Sequence, residues 1–206
     1  MGAISLKYKS KSGNLTAPGD VDPGAMIPIT TTTLSTATAT ISFTSIPQNY
    51  EHLQIRLFAQ TNRATYGGDN FYMRVGASTV DSGSNYSWHM VYGDGSGAGV
   101  GSGSTASYIN VLNGGSLGTT AGGSFGAVIV DILDYANTSK YKTTRAFGGV
   151  DDNDASAGDF GRGVGFNSGL WQSTSAIGII TLYPMNGSNF NTYTSAALYG
   201  IKRAGA

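Results

Sequence analysis

A chain of 206 residues with 12 Lys and Arg against 12 Asp and Glu has no formal net charge, and only 12% of it is charged, about half the ~25% of an average soluble protein. That balance excludes a basic surface able to neutralise a run of phosphates or cling to an anionic membrane, so neither nucleic acid nor membrane is an expected partner. With no cysteine, a disulfide frame, a thiolate zinc site and a cysteine nucleophile are also excluded.

Glycine is abundant, at 31 residues, yet 40% of the chain is hydrophobic and 11% aromatic. That is enough apolar matter for a folded core, and the pattern below makes it all-β. The opening stretch from Met1 to Lys9 lacks an apolar h-region, so no secretory signal is expected. No stretch approaches the ~18 apolar residues of a membrane span.

Residues 1–38 read as an extended docking arm. Lys7, Lys9 and Lys11 alternate with Tyr8 and Ser10, and Pro18-Gly19-Asp20 and Asp22-Pro23-Gly24 supply two turn signals. Pro28 and the run Thr30 to Thr33 keep the chain extended. Leu6, Tyr8, Leu15, Met26, Ile27 and Ile29 are more apolar anchors than a plain linker needs, so the arm is expected to dock on another surface.

Residues 39–206 read as one β-sandwich domain of about nine strands, in which apolar residues recur at every second position. Ile41 and Phe43 open the series; Leu53, Ile55, Leu57 and Ala59 form a long strand with a clear inner face; Phe71, Met73 and Val75 follow. Tyr86, Trp88, Met90 and Tyr92 make the most aromatic strand. Residues 93–107, rich in Gly and Ser, read as a flexible loop, as do residues 114–126. The run from Ala127 to Leu133 is apolar at both parities, which predicts a central strand covered on both faces. Its hairpin partner carries Tyr141, Thr143, Arg145 and Phe147. Weaker strands lie near residues 108–112 and 163–171, and two late ones carry Ile177, Ile179, Thr181 and Tyr183, then Ala197, Tyr199 and Ile201. No window supports an amphipathic helix. The pattern predicts an antiparallel β-sandwich of jelly-roll type.

Chemistry is sparse. The two histidines, His52 and His89, lie in strands. His89 has Ser82, Ser84, Ser87, Asp81 and Asp94 nearby in sequence, but no nucleophile elbow accompanies them. Asp152, Asp154 and Ser156 have the 1,3,5 spacing of a calcium loop, which then fails at Ala157 and Gly163. A solvated loop from Asp151 to Asp159 is the better reading. Glu51 and the aspartates place no two acids on one inner face for glycoside hydrolysis. Gly161-Arg162-Gly163-Val164-Gly165 follows no βα unit and is no dinucleotide fingerprint. Neither an enzyme, nor a cofactor, nor a metal is expected.

Several stretches are similar to those of virion structural proteins of tailed bacteriophages, particularly phages of cyanobacteria and other aquatic bacteria. They are Leu6-Lys7-Tyr8-Lys9-Ser10-Lys11 running through Asn14-Leu15 to Ile27-Pro28, Ile46-Pro47-Gln48-Asn49-Tyr50-Glu51-His52, Gly83-Ser84-Asn85-Tyr86-Ser87-Trp88-His89, Asp131-Ile132-Leu133-Asp134-Tyr135, and Leu198-Tyr199-Gly200-Ile201. The resemblance implies a β-rich homotrimer that is assembled in the host cytoplasm and resides in the virion. Its partners would be the major capsid protein or other virion proteins. It implies a capsid decoration, or cement, protein gripping the head through Leu6, Lys7, Tyr8, Lys9, Lys11, Leu15, Met26, Ile27 and Ile29. The alternative it implies is a tail-fibre adhesin, with Tyr66, Trp88, Tyr92 and Trp171 stacking on host polysaccharide. A fibre shaft of collagen-like or heptad repeats is absent from the sequence, which favours cement.

Overall fold

The computed structural model of the chain describes residues 25–64, 68–116, 123–151 and 163–203. Among them are twelve strands and no helix: β1 (Met26–Thr33), β2 (Ile41–Phe43), β3 (His52–Thr61), β4 (Gly68–Gly76), β5 (Tyr86–Gly93), β6 (Ala98–Ala106), β7 (Ile109–Ser116), β8 (Gly126–Leu133), β9 (Lys142–Val150), β10 (Gly163–Trp171), β11 (Ile179–Pro184) and β12 (Ser195–Ile201).

Eight strands form one sheet in the order β1-β12-β3-β8-β9-β10-β5-β6, and four form a second in the order β2-β11-β4-β7. Pairing is antiparallel except where the end of β3 meets β7 in parallel at Gln60 and Thr61. The sheets pack as a sandwich, as the alternation predicts. With twelve strands split eight and four, it is wider than the eight strands of a jelly roll.

The core lies where the small sheet covers the middle of the large one. Leu53, Ile55 and Leu57 of β3 and Val128, Val130 and Ile132 of β8 meet Phe71, Met73 and Val75 of β4, Ile109 of β7, and Ile180 and Leu182 of β11. Their placement at every second position of β3 and β4 puts these residues on one face, and their burial is what drives the two sheets together. The inner side of β9 begins with Lys142, fully buried, whose Nζ donates to the carbonyls of Lys140, Thr174 and Ser173 at 2.9, 3.2 and 3.5 Å. Three carbonyls receive this cation, and burial still pushes its pKa below the usual lysine value.

Four expectations change. First, Met26, Ile27 and Ile29, assigned to the arm, lie in β1, which pairs with β12 from Met26↔Ile201 to Thr33↔Ser195. Ile29 and Leu34 pack against the core, so the sandwich already includes the residues from Met26 onward, ahead of the expected boundary at 39. Pro28 sits on this edge strand, beside a bulge, where a missing N–H costs no ladder bond.

Second, the Gly/Ser segment at 98–106 is strand β6 and not a loop. Its glycines alternate, and Gly99, Gly101 and Gly103 face Tyr92, Met90 and Trp88 of β5. A Cβ at Gly99 or Gly103 would stand 2.4 Å or 2.5 Å from the tyrosine or indole ring. Bare backbone there is the floor on which large side chains lie.

Third, β8 is covered on one face only, because the small sheet lies on one side; Ala127 and Ile129 are exposed on the other. Fourth, in β11 and β12 the buried residues are Ile180, Leu182, Ala196 and Leu198, so the expected set of Ile179, Thr181, Tyr183, Ala197, Tyr199 and Ile201 points away from the core. Both strands carry apolar residues at both parities, and alternation alone does not choose a face.

Candidate functional site

The outer face of the large sheet is the chain's most unusual surface. Antiparallel register aligns Ile129 of β8, Phe147 of β9, Phe166 of β10, Val91 of β5 and Val100 of β6 in one row across five strands. All five side chains point to solvent; Phe147 is 46% exposed, Phe166 60% and Val100 82%. The rings of Phe147 and Phe166 lie 4.8 Å apart and tilted. Beyond the row, Phe58 and Val164 are each about half exposed, and Phe58 stacks on Phe125 at 4.9 Å.

A polar row runs alongside, through Gln54, Asp131, Arg145, Ser168, His89 and Ser102. Asp131 accepts from Gln54 at 3.0 Å and pairs with Arg145 at 3.2 Å. Between the two rows lies an open groove of about 930 Å³, with Phe166, Val91 and Val100 on one wall and Arg145, His89 and Ser102 on the other. His89 is thus an exposed member of this rim, on the same edge-to-edge face as Ser168 and Ser102, and no acid stands opposite it in register.

Among the expected stacking residues that the structure describes, Trp171 is inside the fold while Trp88 and Tyr92 are half-buried. Trp171 is buried, and its Nε1 donates to Asp81 at 2.8 Å. Trp88 and Tyr92 lie over the glycines of β6. Tyr66 lies outside the described residues, as do Leu6, Lys7, Tyr8, Lys9, Lys11 and Leu15 of the arm and the loop from Asp152 to Asp159.

One polar cluster gathers at the start of β3. Glu51, His52 and Asp134 bring potential ligand atoms within 4.8 Å of one another. Each already has a protein partner. His52 Nδ1 accepts the Asp134 backbone N–H at 3.0 Å, Arg203 lies 3.4 Å from Glu51, and Lys140 pairs with the Asp134 carboxylate. The hydrogen bond from Lys140 holds the Asp134 carboxyl below its ordinary range. The cluster ties the loop after β8 to β3.

A second carboxylate is wholly structural. Asp69, 1% exposed, accepts from Thr61 Oγ1, from the backbone N–H and side chain of Asn186, and from the Gly187 N–H at 2.7–3.1 Å. It fastens the loop after β11 to β3 and β4.

The sequence reading missed the apolar row. Its signal was present: Phe147, Phe166 and Val91 occupy the parity opposite to the buried residues of three neighbouring strands. Only strand order reveals that they form one line.

A scan against models of known protein families finds no match, and a search of curated proteins finds none either.

Proposed function

We propose that this chain is a non-enzymatic structural protein of a bacteriophage virion, a decoration protein that binds and stabilises the head shell. The observation that carries the reading is the bare apolar row across β8, β9, β10, β5 and β6, a surface suited to burial against a neighbouring subunit of an assembly. The resemblance of its sequence stretches to phage virion proteins points the same way. So does the fate of its carboxylates: Asp69, Asp81, Asp131 and Asp134 are each engaged in holding loops or strands.

In this reading the residues ahead of β1 are the clasp. They run into the edge strand of the large sheet, where Lys202 N–H meets Ala25 carbonyl at 2.9 Å. Clasps from copies joined in one assembly gain affinity by engaging the head together. The partner is the major capsid protein or another virion protein. The adhesin alternative is weaker, since Trp171 is buried and held by Asp81.

The test is add-back of the purified full chain to virions stripped of it. Saturable binding that raises the temperature at which heads open is expected; failure to bind heads contradicts the proposal.

A further inference from the structure

We propose that the outer face of the large sheet is a self-association surface, on which a second copy of this chain seats face to face. The inference does not depend on a virion role, since it rests on area, shape and charge alone.

Area comes first. With roughly 150–250 Å² of surface per aromatic side chain, Phe58, Phe147 and Phe166 at about half exposure present on the order of 300 Å². Ile129, Val91, Val100 and Val164 bring the apolar total to roughly 500 Å², at the upper end of what a soluble monomer leaves bare. A stable pair needs about 800 Å² per partner, of which ~65% is apolar in homodimers, again about 500 Å². The face holds the apolar share of one half of such an interface, and its flanking polar row supplies the remainder.

Shape and charge favour a copy of the same chain over a foreign partner. A β-sheet face packs well on another sheet face, side chains interdigitating at ~10 Å separation. The rim is not of one sign. Asp131 and Arg145 sit in register on adjacent strands β8 and β9. A copy turned over about a two-fold axis along β10 lays Phe166 on Phe166, Phe147 on Val91 and Ile129 on Val100, so the apolar row meets itself across its whole width. A basic or acidic partner would find no matching field on this neutral rim. The two-fold pair replaces the trimer implied by the sequence resemblance.

The test is sedimentation of the full chain from micromolar concentration upward, for wild type and for Phe147→Glu, Phe166→Glu and Val100→Lys. The expected result is a wild-type dimer, with each phenylalanine variant raising the dissociation constant roughly thirtyfold or more. Val100→Lys, at an edge-strand position 82% exposed, guards against misfolding of the ring variants, and far-UV circular dichroism confirms the fold of each. A wild-type monomer throughout, a trimer, or a dimer that all three folded variants leave unchanged overturns the proposal.

Discussion

Asp81 shows how single side chains hold this charge-poor sandwich together. Partial burial pushes its carboxyl up, but hydrogen bonds from Trp171, Asn85 and Gly83 outweigh that and leave it below its ordinary 3.8. A carboxyl with a lowered folded-state pKa contributes stability above its unfolded value, and loses it as pH falls through the folded one. Asp81→Asn is therefore expected to lower Tm at neutral pH, with the difference from wild type shrinking as acid is added below 3.8. A difference constant with pH contradicts this. Asp69 is a stronger case, because its four donors lie in a buried site. Asp69→Ala strands them and is expected to cost about 3 kcal/mol, or roughly 10 °C in Tm. Urea unfolding reads it directly.

At the scale of elements, β6 carries the most specific expectation. Gly103→Val drives a branched side chain into the Trp88 indole, which stands 2.5 Å from the position of a Cβ, and is expected to cost about 1–3 kcal/mol. Gly97→Ala, with open space around it, is the control and leaves Tm unchanged. Truncation separates the arm from the sheet. Removing residues 1–24 leaves β1 paired, so thermal melting stays as in wild type. Removing 1–38 strips β12 of one of its two partner strands and takes Ile29 and Leu34 from the core, which lowers Tm.

The elements also show what the sequence could reveal. Leu53, Ile55 and Leu57 were legible because polar residues occupy the alternate positions, so pattern and burial coincide. In β11 and β12 both parities are apolar, and only the partner sheet decides which is inside. The strand at Met26–Thr33 was hidden by threonine, which serves an edge strand as well as an extended arm. The strand at Ala98–Ala106 was hidden by glycine, whose alternation gains meaning only opposite Trp88, Met90 and Tyr92. The apolar row was hidden most deeply, since its five members come from five strands and adjoin only in register.

For the whole molecule, a sandwich with eight strands in one sheet and four in the other leaves much of the large sheet without a cover. That imbalance explains why Ile129, Phe147 and Phe166 are exposed while their strand neighbours are fully packed. In the proposed reading a chain with such a face, and with Asp69, Asp81, Asp131 and Asp134 engaged in internal contacts, is one part of a larger assembly. The most direct measurement of that claim is gold labelling of purified virions with antibody to this chain, read by electron microscopy. Gold distributed over the head is the predicted result; gold confined to the tail, or absent from the particle, contradicts the decoration role.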